Sequence, residues 1–278
     1  MHILRTIDEL QIWRASLAPG ASLGFVPTMG ALHAGHMKLV EASTAANAVT
    51  LVSIFVNPLQ FGPGEDLARY PRPFEDDAAL CREAGVAAIF APEVAGFYAK
   101  DHATYVDVEG LDRHLCGAAR PGHFRGVCTV VLKLFNLAKP TRAYFGRKDI
   151  QQYFILAKMV SDLSLDLEMV PVDTVREPSG LALSSRNAYL SPDEKARAAA
   201  IQRGLRKARE AHAAGERSAA ALLGLARAEI EASRPTRVDY VELVSQSALA
   251  PVEAADGPCV LAAAVFYGNT RLIDNVLL

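Results

Sequence analysis

The sequence predicts an α/β fold: a doubly wound, Rossmann-like parallel sheet with a smaller α+β C-terminal domain. Three observations predict it. Strand-like and helix-like segments alternate up to about residue 180. The run 48–56 is β-branched and continuously apolar, as a strand covered on both faces must be. Past residue 180 the alternation stops, and two Ala/Arg-rich helical stretches are followed by three strand-like runs. The expected domains are therefore 1–178 and 179–278.

The elements follow in order. Thr6-Ile7-Asp8-Glu9 is a capping box that opens a helix through Trp13. Strands are expected at 22–28 and 48–56, with a helix starting at Met37 between them. A helix over Phe74–Ala84 leads to a strand at Val86–Phe90. A long helix over Arg125–Ala138, a strand over Arg142–Phe145, a helix over Asp149–Leu163 and a strand over Leu165–Val170 continue the alternation. Ser191-Pro192-Asp193-Glu194 combines a serine cap, a proline at the first helical position and a glutamate at the third. It opens helices over 192–214 and 217–233. Strands at Val238–Val244, Val260–Tyr267 and Thr270–Val276 close the chain, the last two joined at Gly268-Asn269 as a hairpin.

Composition narrows the function classes. At 278 residues the chain can bury a large core. With 51% apolar and 22% charged residues it reads as an ordinary globular protein. A net charge of −2 gives no electrostatic case for a nucleic-acid partner. The four cysteines are scattered without a CxxC pair, which argues against a zinc site or a disulfide framework and fits a reducing compartment. The N-terminus lacks the features of a signal peptide, and no run approaches the roughly 18 apolar residues of a membrane span. These features predict a cytoplasmic protein with no membrane partner.

The most informative segment is Met29-Gly30-Ala31-Leu32-His33-Ala34-Gly35-His36, between a predicted strand and a predicted helix. A strand that turns through glycines into a helix presents main-chain N–H groups to an anion. Two imidazoles there can donate to phosphate oxygens as charge builds on them. Such a site suits attack at the α-phosphorus of a nucleoside triphosphate. A metal reading is weaker, since no neighbouring Cys, Asp or Glu supplies a third ligand.

Other segments add polar chemistry at predicted loop positions. Asn57 and Gln60 follow the second strand and carry amides that both donate and accept. Gly146-Arg147-Lys148-Asp149 again joins a strand to a helix. Lys148 can neutralise phosphate, and Asp149 can cap the helix or bind ribose or magnesium. Gln151 and Gln152 follow. Leu183-Ser184-Ser185-Arg186-Asn187 sets hydroxyls beside an arginine at the domain junction, and Arg120–Gly126 is a basic stretch before a helix. Each alone is common.

Together, PTMGALHAGH (27–36), VSIFVNPLQF (52–61), LARYPR (67–72), RPGHFRGV (120–127), FGRKDIQQ (145–152), LALSSRN (181–187) and RLIDN (271–275) resemble the pantothenate synthetase (pantoate–β-alanine ligase) family of the HxGH nucleotidyltransferase group. The resemblance spans essentially the whole chain. It implies ligation of (R)-pantoate and β-alanine through a pantoyl adenylate, with ATP as co-substrate and Mg²⁺ arriving with it. It implies a homodimer. By the same resemblance Met29–His36 bind ATP, with His36 as proton donor and His33 on the phosphates. Gly146, Arg147, Lys148 and Asp149 contact ATP, Lys148 at its phosphates. Val175, Leu183, Ser184, Ser185 and Arg186 close the nucleotide site. Gln60 and Gln152 hold pantoate, and Gln60 also meets β-alanine. Asn57, His123 and the pair Asp76-Asp77 are secondary candidates, the acidic pair reading better as a solvated helix face. No protein metal ligands are implied. Arg147 departs from the glutamate usual in the family. An AMP transferase with another acceptor and a silent nucleotide-binding module are the competing readings; release of free AMP separates the first from a ligase, and pantoate-dependent pyrophosphate release the second.

Overall fold

The computed structural model describes residues 1–278. In chain order the elements are β1 (His2–Leu4), α1 (Ile7–Ala15), β2 (Leu23–Thr28), α2 (Ala34–Ala46), β3 (Val49–Ile54), α3 (Phe74–Glu83), β4 (Ala88–Phe90), α4 (Val94–Phe97), α5 (Leu115–Ala119), α6 (His123–Ala138), β5 (Arg142–Gly146), α7 (Ile150–Asp162) and β6 (Glu168–Val172). There follow α8 (Pro192–Ala198), α9 (Ala200–Ala213), α10 (Ala219–Ala232), β7 (Arg237–Ser245), β8 (Cys259–Tyr267) and β9 (Thr270–Leu277).

The first six strands form one parallel sheet in the order β1-β4-β3-β2-β5-β6. The chain winds from β2 through β3 to β4 on one side, then returns to place β5 on the other side of β2. The carboxyl ends of β2 and β5 thus mark a topological switch point, where open α/β sheets bind ligands. Strand alternation divides the core. Val26, Val52, Ile89 and Tyr144 face the α2/α3 side with Leu39, Val40, Ala78 and Cys81. Their neighbours point the other way: Phe135 of α6 meets Phe25 and Phe145 edge-on, each at 6.3 Å. Helices therefore cover both faces, as the continuously apolar strands require.

β7, β8 and β9 form an antiparallel sheet. Its apolar face packs with Ile201, Leu205, Leu222 and Ile230 of α9 and α10. Gly268, with φ +56°, makes the tight β8–β9 turn.

The chain divides into two compact units: 1–108 with 121–147 and 155–173, and 109–120 with 148–154 and 174–278. The division differs from a single cut after residue 178. Its physical reason is a cluster in which Leu115 and Ile150 pack with Val244, Leu249, Val260 and Ala262 of the second unit.

Local boundaries also differ. β1 was not expected; its three residues are too few to show a period. β6 begins at Glu168 rather than Leu165, because Leu165 N–H donates to Val160 O and Ser164 takes φ +50°, so those residues complete a turn after α7. The stretch 192–214 is two helices that meet at Ala199.

Candidate active site

The loop after β2 is built by its own main chain. The Thr28 hydroxyl donates to Ser53 O at 2.8 Å and accepts from Gly30 N–H at 3.1 Å. Gly30 has φ +84°, and a Cβ there would lie 2.9 Å from an Asp77 carboxylate oxygen. The glycine is therefore required both by conformation and by the close approach of Asp77. Ala31 also sits in the left-handed region, at φ +50°. Asp77 Oδ2 accepts from Ala31 N–H at 2.8 Å, and Oδ1 from Leu32 N–H at 2.7 Å.

Asp77 corrects an expectation. It is 1% exposed, not on a solvated helix face; only its neighbour Asp76 is exposed. It shares the buried stripe of α3 with Ala78 and Cys81, and the Asp77–Cys81 spacing was the sequence signal for it. Burial pushes its pKa up, against the pull of the two main-chain donors, and Asp76 adds to the rise.

α2 begins at Ala34, three residues before the expected Met37. The cap is His33, whose Nδ1 accepts from Gly35 N–H at 3.1 Å. His36 Nδ1 in turn accepts from His33 N–H at 3.4 Å. Histidine does here what serine or aspartate usually does, and so the start was not apparent from residue type. The consequence is chemical. With each Nδ1 an acceptor, the neutral rings carry their protons on Nε2. The two centroids lie 4.1 Å apart at an interplanar angle of 34°.

The loop after β3 fixes Gln60. Asn57 Nδ2 donates to Gln60 Oε1 and to Gly126 O, both at 3.1 Å. Asn57 Oδ1 accepts from the Tyr98 hydroxyl at 2.9 Å and from Leu59 N–H at 3.3 Å. With its oxygen engaged, Gln60 turns Nε2 toward Met29 Sδ at 3.3 Å. His123 Nδ1 donates to the Gln60 main-chain oxygen at 2.8 Å. Asn57 is 1% exposed and His123 is also buried, so both act beneath Gln60. Tyr98, which the sequence reading missed, completes the set; burial raises its pKa and keeps the hydroxyl a donor.

Arg147 directly follows β5 and ends the 121–147 segment of the first unit. Its Nη1 donates to Asp173 Oδ1 at 2.8 Å, with the side chains 41% and 86% exposed. That pair offsets the positive charge of Arg147.

Gly146 lies in the first unit with Arg147, and the remaining candidates belong to the second. Lys148 Nζ lies 3.7 Å from Asp149 Oδ2. Gln151 is buried and wholly structural: Oε1 accepts from Gly117 N–H at 3.3 Å, and Nε2 donates to Leu111 O and His114 O at 2.8 and 2.9 Å. Gln152, the next residue of α7, is half-buried. Leu183 N–H donates to Val175 O at 3.0 Å, closing a hairpin-like loop. Ser184 Oγ accepts from Arg186 N–H at 3.3 Å, which turns the chain so that Ser185 and Arg186 follow in a short 3₁₀ turn. Met29–His36 and Gln60 thus come together in one unit, and Lys148, Asp149, Gln152, Val175 and 183–186 lie in the other. No group of three or more His, Cys, Asp or Glu side chains is gathered as a metal site.

The family described as pantoate-beta-alanine ligase matches residues 2–277. The chain belongs to the pantoate–β-alanine ligase family. The chain is 51% identical over 279 residues to the pantothenate synthetase of Moorella thermoacetica, covering 100% of this chain and 99% of the relative. It is 54% identical over 283 residues to pantothenate synthetase 1 of Bradyrhizobium diazoefficiens, covering 100% and 98%. Among solved structures, the pantothenate synthetase of Thermus thermophilus superposes with a TM-score of 0.94 at 46% identity over 99% of each chain. The pantoate-beta-alanine ligase of Francisella tularensis, complexed with beta-gamma ATP and beta-alanine, gives 0.84 at 32% identity over 100% and 97%. A pantoate–β-alanine ligase is an amide-forming enzyme.

Proposed function

We propose that the chain joins (R)-pantoate to β-alanine at the expense of ATP, giving pantothenate, a coenzyme A precursor. The observation that carries the reading is the His33–His36 pair, held by main-chain donors at the start of α2 beside the switch point.

The reaction needs two steps, because a carboxylate has no leaving group for an amine to displace. A pantoate oxygen first attacks the α-phosphorus, forming a P–O bond as the bridge to the β-phosphorus breaks and pyrophosphate leaves. The β-alanine amine then attacks the acyl carbon; the C–O bond breaks, AMP departs with the electron pair, and the amine loses a proton. No covalent enzyme nucleophile is required. Positioning and charge stabilisation suffice. His36 donates from Nε2 to the charge that develops on phosphate, and His33 donates beside it. Lys148, Ser185 and Arg186 meet phosphate, with Gly146, Asp149, Val175 and Leu183 around the nucleotide. Gln60 and Gln152 hold pantoate, and Gln60 also meets β-alanine.

Magnesium enters as part of the nucleotide substrate. Both Asp77 oxygens are engaged by main-chain donors, which fits a loop support better than a metal ligand. No helix is long and apolar enough to cross a membrane. Cytoplasmic location, which rests on the scattered cysteines and the N-terminal sequence, and a homodimer, which rests on the family resemblance, are part of the proposal; sedimentation of the purified chain tests the dimer.

The deciding experiment is AMP release with ATP and Mg²⁺, omitting pantoate and β-alanine in turn. Free AMP should need both, and pyrophosphate should need pantoate alone. A stable adenylylated product in place of AMP would replace this reading with a nucleotidyl transfer.

A further inference from the structure

The RLIDN segment (271–275) has no part in the reaction as written above. It lies in β9, which pairs on one side with β8, Asp274 opposite Ala263 and Asn275 opposite Ala262. Successive strand residues point to opposite faces. Leu272 and Val276 share the Asp274 face and belong to the cluster that contains Leu181. Leu277 shares the Asn275 face and packs with the cluster that contains Ile150.

Each face holds a different nucleotide segment. Asp274 is 4% exposed and grips Arg176 in a two-point pair, Nη2 to Oδ1 at 2.9 Å and Nη1 to Oδ2 at 2.5 Å. Arg176 Nη1 also donates to Gly180 O at 3.2 Å, across the turn of the Val175–Leu183 loop. A fork-to-carboxylate pair fixes orientation as well as distance. On the other face Asn275 Nδ2 donates to the main-chain oxygen of Lys148 at 2.9 Å. Asp274 Oδ1 further accepts from Asn275 N–H at 2.8 Å, which ties the two anchors to each other.

We infer that Asp274 and Asn275 are positioning residues for the nucleotide: Asn275 sets the Lys148 main chain, Asp274 sets the Val175–Leu183 loop, and one strand holds both segments in register. The inference rests on the proposed ligase reading, in which Lys148 meets the triphosphate. Lys148 matters while pyrophosphate is leaving and has no part once the adenylate exists. The positioning that Asn275 exerts through Lys148 therefore touches one half-reaction only.

The test measures the half-reactions separately in the full chain. Asn275→Ala should slow pantoate-dependent pyrophosphate release on the order of tenfold, while aminolysis of supplied pantoyl adenylate by β-alanine stays near the parent rate. Asn275→Leu, of similar volume, replaces it if the alanine variant does not fold. In a Lys148→Ala background Asn275→Ala should have almost no further effect, since both act through one group. Equal losses in both half-reactions, or a full additional loss in the Lys148→Ala background, would overturn the inference. Failure of the ligase reading looks different: the unsubstituted chain would release no pantoate-dependent pyrophosphate. Release that Lys148→Ala left unchanged would instead remove the Lys148 role and overturn the inference with it.

Discussion

The Asp77 carboxylate accepts the main-chain N–H of Leu32 at 2.7 Å, and its other oxygen takes that of Ala31. One buried acid thereby holds the turn that carries both histidines. Asparagine offers one acceptor where the carboxylate offers two. Asp77→Asn should lose about 1–3 kcal/mol of stability from the stranded donor and raise the KM for ATP. Denaturant titration and initial rates check this; unchanged values for both would remove Asp77 from its supporting role.

The histidine pair separates into two functions. His36→Ala should slow adenylate formation by about a hundredfold or more. His33→Ala should lose the cap as well as phosphate contact, lowering stability by about 1 kcal/mol. His33→Asn restores a capping oxygen without restoring the Nε2 donor, so stability should recover and the rate should not. Thermal melts beside pyrophosphate-release rates make the comparison. Recovery of both together would show that His33 acts only as a cap.

Gly126 admits no side chain. A Cβ there would lie 2.1 Å from Leu59 O, a main-chain atom next to Gln60. Gly126→Ala should destabilise the fold by about 1–3 kcal/mol and raise the KM for pantoate and β-alanine more than that for ATP. Equal increases for all three substrates would contradict the placement of Gln60.

Cys81 provides a pH test. Burial, with the Asp77 charge second, pushes its thiol from the ordinary 9.0 up to about 12. The folded state then binds the proton more tightly than the unfolded chain. The associated stability is full below pH 9.0 and is lost as pH rises through about 12. Relative to Cys81→Ala, the parent protein should lose stability across that window, read from denaturation midpoints. Parallel curves for the two proteins would refute it. The same thiol should resist alkylation in the native protein at about pH 8.

Arg147→Glu should remove the Asp173 pair at a loss below about 1 kcal/mol, because both side chains face solvent. Its charge reversal should raise the KM for ATP several-fold. Steady-state kinetics with varied ATP decide, and no change would dismiss a role for the charge.

What was legible in the sequence follows the range of each interaction. The Thr6–Glu9 and Ser191–Glu194 capping boxes are each contained within a single helical turn, and both form as read. The strands β2, β3, β5, β7, β8 and β9 announce themselves by apolar runs and turn residues. The support beneath the candidate site was not legible for a different reason. Asp77 meets Leu32 across 45 positions and Asn275 meets Lys148 across 127, and in each case the partner atom is main chain. A peptide N–H or C=O has no residue-type signature, so no pairing of letters could reveal it. His33 is read from the sequence as a phosphate donor; in the structure its Nδ1 caps α2, which leaves Nε2 for the proposed contact.

The chain passes from one compact unit to the other at 108/109, 120/121, 147/148, 154/155 and 173/174. A gene severed at the apparent joint near residue 178 would encode a C-terminal fragment without Leu115 and Ile150, both members of its interior cluster. The two halves are consequently not cassettes. Neither can be transplanted, duplicated or exchanged between homologues by one crossover, and inheritance has to carry them as a single item of architecture.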